Sequence, residues 1–73
     1  MTRQGANGNQ PTRQRLLRLK PAAEYLSMST WSIRRLIQNG EIPVLQSQQG
    51  APFLVDIRDL DRYVERTKRT VLP

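Results

Sequence analysis

Cysteine and histidine are both missing from the 73 residues of this chain. Disulfide staples are therefore excluded, and an all-protein zinc site is left without its thiolate and imidazole ligands. The same two absences remove the commonest general base and the most reactive nucleophile, so most acid–base and acyl-transfer catalysis has nothing to build on. Aromatic residues are scarce, with one Trp, two Tyr and one Phe. No apolar run approaches the roughly 20 residues that a bilayer-crossing helix needs, and the first residues lack the apolar stretch of a secretion signal. The expectation is a soluble cytoplasmic protein with no metal, no cofactor, no membrane association and no enzymatic activity. The length suits one small domain with a modest core.

Acids are nearly absent from the first forty positions. Residues 1–40 carry Arg3, Arg13, Arg15, Arg18, Lys20, Arg34 and Arg35 against Glu24 alone, a balance of +6, whereas residues 41–73 carry five bases and five acids. The whole net charge of +6 thus falls on the first half of the chain. A basic field focused on one part of a small domain suits a polyanion, nucleic acid first among them.

Residues 1–14 are Gly, Asn, Gln, Thr and Arg with little apolar content, which predicts a disordered basic arm. Leu16, Leu17 and Leu19 predict a brief strand leading into the folded domain. Pro21 fits the first position of a short helix that continues through Ala22–Leu26, with Ala23 and Leu26 inward. Ser27-Met28-Ser29 predicts a tight turn in which Met28 enters the core and Ser29 caps the next helix. That helix spans 30–39 and stops at Gly40, with Pro43 preventing any continuation. Val44–Ser47 and Phe53–Val55 are β-capable and separated by Gln48-Gln49-Gly50-Ala51-Pro52, a hairpin pattern. Asp56 caps a last helix with Ile57, Leu60, Tyr63 and Val64 as its buried stripe and Asp59 in its acidic first turn. Residues 68–73 fray. The order is helix, tight turn, helix, hairpin, helix over residues 15–67, a mainly α winged helix-turn-helix with a small β-hairpin.

The second helix carries the most information. Taking Ile33 as the zero of a helical wheel at about 100° per residue, Leu36 and Ile37 flank it as a core stripe. Trp31 and Arg35 fall on the opposite side, with Arg34 and Gln38 beside them. A tryptophan turned away from the core next to two arginines predicts a face that meets DNA.

Lys20-Pro21-Ala22-Ala23-Glu24-Tyr25-Leu26-Ser27-Met28-Ser29, Ile33-Arg34-Arg35-Leu36-Ile37, Gly40-Glu41-Ile42-Pro43 and Asp59-Leu60-Asp61-Arg62-Tyr63 together resemble the excisionase-type domain, a MerR-like winged helix. The resemblance covers about residues 16–66. It implies an excisionase, or recombination directionality factor, of a phage or integrative element in a bacterial host, associated with the nucleoid. Such a protein binds attachment-site double-stranded DNA and directs a partner integrase or recombinase toward excision. It also implies self-association on DNA through cooperative binding with bending. Short transcriptional regulators of mobile elements share the module, and that role stays open. Two positions depart from the pattern: Ser27 stands where a small glycine is common, and the wing tip Gln46–Pro52 lacks cations.

A major groove about 12 Å wide admits one helix, whose first turns reach base edges. Thr30, Trp31, Ser32, Arg34, Arg35 and Gln38 are the expected recognition-helix contacts, with the Arg35 fork suited to guanine O6 and N7. Three placements are open to Trp31: against sugar or a thymine methyl, as an anchor for a protein partner, or partly under the wing. Gln46, Ser47, Gln48 and Gln49 are either wing contacts to minor groove and phosphates or an ordinary polar hairpin. Arg13, Arg15, Arg18 and Lys20 are the expected phosphate contacts, and neutralising about five to seven phosphates gives a salt slope of about −4.5 to −6. Asp56, Asp59, Asp61 and Glu65 lie at helical spacings on one capping helix, where a solvated scaffold face is expected rather than a catalytic pair.

Overall fold

Five short elements follow one another in a computed structural model that describes residues 14–72. They are β1 (Leu16–Leu17), α1 (Leu19–Tyr25), α2 (Thr30–Gln38), β2 (Val55–Asp56) and α3 (Ile57–Thr67). Three helices and a small antiparallel hairpin result, an arrangement compatible with a winged helix. The expected arm, with Arg3 and Arg13, and Pro73 lie outside the described residues.

Helix α1 begins earlier than the proline suggests. Arg18 is its cap and Leu19 its first residue, so Leu19 is helical rather than part of the strand, and Pro21 is third. The first intrahelical bond runs from the Ala22 amide to the Arg18 carbonyl at 2.9 Å. Every amide before Ala22 is without a helical acceptor, so a missing N–H costs nothing anywhere in that first turn.

Both helices that flank the tight turn end in the same way. At the end of α1 the Ser27 amide reaches Glu24 O at 3.0 Å and the Met28 amide reaches Ala23 O at 2.9 Å. At the end of α2, Gly40 N reaches Ile37 O at 3.0 Å and Glu41 N reaches Leu36 O at 2.9 Å. These are paired Schellman closures, which require a left-handed residue after the cap. Gly40 supplies it at φ 78°, whereas the first turn holds Ser27 at φ 57°. An L-residue with a Cβ is strained there. Ser27→Gly is therefore expected to stabilise the domain by about 0.5–1 kcal/mol, a melting rise of about 3–6 °C. Thermal denaturation followed by circular dichroism reads this directly, and an unchanged or lower midpoint would contradict it.

Ser29 caps α2 as expected, its Oγ accepting from the Ser32 amide at 3.1 Å. α2 ends at Gln38, one residue short of the expected Asn39, which is the cap.

The wing is narrower than two strands. Leu45 and Leu54 exchange both backbone bonds, at 2.8 and 2.9 Å, and form a single bridge. Gly50 at φ 87° is the third residue of the turn closed by Ala51 N to Gln48 O at 3.0 Å. Beyond Leu54 the strand turns its backbone to the other side: Val55 pairs with Leu17, Asp56 with Leu16, and Ile57 N donates to Arg15 O at 2.8 Å. One short strand thus joins the wing to β1 by using alternate residues for each neighbour.

Leu17, Ala22, Ala23, Ile33, Ile42, Val55 and Leu60 form the buried core, and Met28, Leu26, Leu36, Ile37, Ile57 and Tyr63 pack against it. Val64 departs from the expected stripe and is 39% exposed. α1 ends at Tyr25, so the second half of α3 overhangs it, and Val64 lines an open groove with Tyr25, Met28 and Tyr63. Tyr25 Oη donates to Asp61 Oδ1 at 2.6 Å, a link between α1 and α3. The bond to the Asp61 carboxylate raises the phenol above its ordinary pKa.

Asp56 joins three elements. It accepts from Arg58 N at 2.9 Å as the cap of α3, and Arg15 Nε and Nη2 approach its Oδ2 at 3.0 and 2.8 Å. The Arg15 guanidinium first, and the Arg58 amide second, hold this carboxyl below its ordinary value of 3.8. A carboxyl depressed in the folded state contributes stability that is complete above the ordinary value. That contribution is lost as pH falls through the depressed one. Melting temperature should accordingly drop on acidification below about pH 4. Asp56→Asn, which keeps an acceptor for the cap but not the ion pair, should flatten that drop; equal slopes for the two proteins would rule it out.

Candidate functional site

Ile33 is fully buried and fixes the rotation of α2, so the opposite side of the helix points to solvent. Trp31, Arg35 and Gln38 are exposed there, Thr30 and Arg34 are exposed on the flank, and Ser32 is half-buried. Trp31 is 65% exposed, which leaves it clear of the wing. The Arg35 guanidinium lies over its ring, 5.1 Å from the centroid. This spacing is within cation–π range, and the two residues sit one turn apart on the same face. Ser29 Oγ also donates to Ser32 Oγ at 3.0 Å, which joins Ser32 to the cap.

Arg34 leads to a different surface. It shares a groove with Arg18 and Lys20, between the start of α1, the flank of α2 and the base of the wing. Leu19 and Phe53 line the same groove, and with Arg34 they also line an adjoining pocket that includes Ile37 and Gln38. Three cations thus share a groove with these two apolar side chains, a composition that suits a phosphodiester strand, phosphates to the cations and sugars to the apolar groups. Phe53, 39% exposed, is a site-lining residue that the sequence pattern assigned only to a strand. Its alternation with Leu54 places it on the side of buried Val55, at the edge where the core opens toward Leu19.

Two expected contacts have other duties. Arg15 is engaged by Asp56 at the joint of β1 and α3, and that contact raises its already high pKa. Its guanidinium thus braces that joint, while the side chain stays 60% exposed. Gln46 Nε2 donates to Ala51 O at 2.8 Å and closes the wing turn, whereas Ser47, Gln48 and Gln49 are exposed with no side-chain hydrogen bond among the described residues.

Comparison of the chain with protein-family models, curated proteins and solved structures gives no match. Among the described residues no group of His, Cys, Asp or Glu is placed to hold a metal ion, and no helix is long and apolar enough to cross a membrane. The acidic groups of α3 are engaged: Asp59 with Arg62 and Glu65 with Lys68 one turn away, and Asp61 with Tyr25 of α1.

Proposed function

We propose that the chain is a winged helix-turn-helix protein that binds double-stranded DNA with α2 in the major groove. One observation carries this reading: the indole of Trp31 and the guanidinium of Arg35 are presented outward together on a helix whose opposite side is locked into the core, with exposed Arg34 on the adjoining flank. The helix is nine residues long, enough for two turns in the groove. Arg18, Lys20 and Arg34 take phosphates beside it, and Ser47, Gln48 and Gln49 offer uncharged donors to the adjoining backbone.

On this reading the protein makes and breaks no covalent bond. It acts as an excisionase that occupies repeated sites near an attachment site, bends or organises the DNA, and biases a partner integrase toward excision. The likeness of residues 20–29, 33–37, 40–43 and 59–63 to that family supports the finer role. A single small domain reads few base pairs, so several copies on neighbouring sites, or the integrase, must add specificity.

Titration of a labelled duplex at several salt concentrations tests the binding itself. With Arg15 held by Asp56, about four to six phosphates are neutralised and the slope of log K against log salt is expected at about −3.6 to −5.4. A flat slope, or no binding at low salt, would reject the reading. An excision assay with the integrase against a promoter fusion then separates the excisionase from a small transcriptional regulator. A second reading is a protein-docking module, favoured by the large exposed ring of Trp31. Trp31→Ala that leaves DNA affinity unchanged, while abolishing capture by the integrase, would select it.

A further inference from the structure

Arg35 has one partner on its own chain. Among the described residues the ion pairs belong to Arg15, Arg62 and Lys68, and Arg35 is left over the Trp31 ring. The guanidinium lies over the indole, and among the described residues no ion pair or hydrogen bond engages its N–H groups, so the fork is left for a ligand. The exposed indole beside it is an apolar surface at the second residue of α2, in the turn that enters a groove first. The pair therefore offers two unlike contacts at once: a bidentate donor fork and an adjacent apolar face.

In the major groove one dinucleotide chemistry matches both. Guanine presents O6 and N7 to the fork, and a 5-methylpyrimidine on the preceding nucleotide presents its methyl group to the apolar surface. We infer that the Trp31–Arg35 pair is the specificity-determining element of the interface and reads a 5-methylpyrimidine–guanine step. This rests on the proposed DNA-binding role and goes beyond it by naming the step. Trp31 acts in two ways: it contacts the methyl group, and it restricts Arg35 to the orientation in which the fork meets guanine. Thymine and 5-methylcytosine carry the same methyl group, so either one satisfies the chemistry.

The test uses the full chain and a pool of duplexes with a randomised core, followed by defined duplexes built from the recovered sites. The sites should share a T–G step. Deoxyuridine at its thymine should weaken binding about three- to fivefold, through loss of one buried methyl group. 7-Deazaguanine at its guanine should weaken binding about tenfold. 5-Methylcytosine, base-paired to guanine at the thymine position, should bind within about twofold of thymine, and unmethylated cytosine should match the deoxyuridine loss. Trp31→Ala should abolish the methyl effect while keeping part of the guanine effect, and Arg35→Ala, which removes the fork, should abolish the guanine effect. Both positions are exposed, so circular dichroism should find these variants folded. Recovered sites that share no such step, or duplexes bound equally with and without the methyl and N7 atoms, overturn this inference and leave the DNA-binding role standing. A protein that enriches and shifts no duplex overturns both.

Discussion

Alanine at Arg34 and Arg35 together is expected to lower duplex affinity about 100-fold or more, with the fold unchanged. Both side chains are exposed on α2, and neither forms an ion pair among the described residues. Exposed substitutions of this kind usually move stability by less than about 0.5 kcal/mol. Charge-assisted hydrogen bonds to phosphate or base are worth about 1.5–3 kcal/mol each, and about 1.4 kcal/mol is tenfold in affinity. Two such losses, even partly redundant, therefore reach the stated size. The control is charge-matched: Arg62→Ala with Arg69→Ala removes two cations from α3 and the segment after it. That pair should weaken binding only a fewfold, as a change in the general field does under screening. Fluorescence anisotropy on one duplex compares them. If the two double variants lose affinity equally, net charge alone explains the binding, and α2 has no special part in it.

Leu60→Ala should unfold much of the population near physiological temperature. Leu60 is fully buried in α3 among Ala22, Ala23, Ile33 and Val55 of the same cluster. Buried leucine truncations cost about 2–5 kcal/mol through lost transfer energy and the cavity left behind. A single core in a chain of this length rarely supplies more than about 3–5 kcal/mol of net stability. The substitution removes most of that margin. Leu60→Met, close in volume, should cost less than about 1.5 kcal/mol and keep a cooperative melt. Urea denaturation followed by circular dichroism reads both, and an alanine variant with a midpoint near the parent's would show that the core is not centred where these side chains meet.

Elements defined by neighbours in sequence were legible; those defined by neighbours in space were not. The stripe of Ile33, Leu36 and Ile37, the Ser29 and Asp56 caps and the Gly40 stop each depend on residues within one or two turns, and all stand in the structure. Rotation of α2 followed from that stripe, which is why the exposure of Trp31 and Arg35 could be anticipated. The start of α1 could not be, because proline is compatible with any position of a first turn and leaves no unique mark. Ile42 is almost fully buried although it sits alone between Glu41 and Pro43, where no periodicity signals a core residue. The Arg15–Asp56 pair spans 41 residues and exists only because β1 lies antiparallel to β2. The same applies to Phe53 at the base of the wing and to Tyr25 on Asp61. Formal charge identified Arg15 as a cation; its partner decides what that cation does.

Arg66 on α3 stacks on Tyr63, 5.4 Å from the ring centroid, and donates to the carbonyl of Glu41, just after the end of α2. Ile42, the next residue, is buried beneath the same junction. The segment that follows α2 is thus tied to the last helix through the Glu41 carbonyl. On the proposed DNA-binding reading, transplanting the outward side chains of α2 onto a foreign scaffold would leave this tether behind, so a change of target is better attempted by altering those side chains in place.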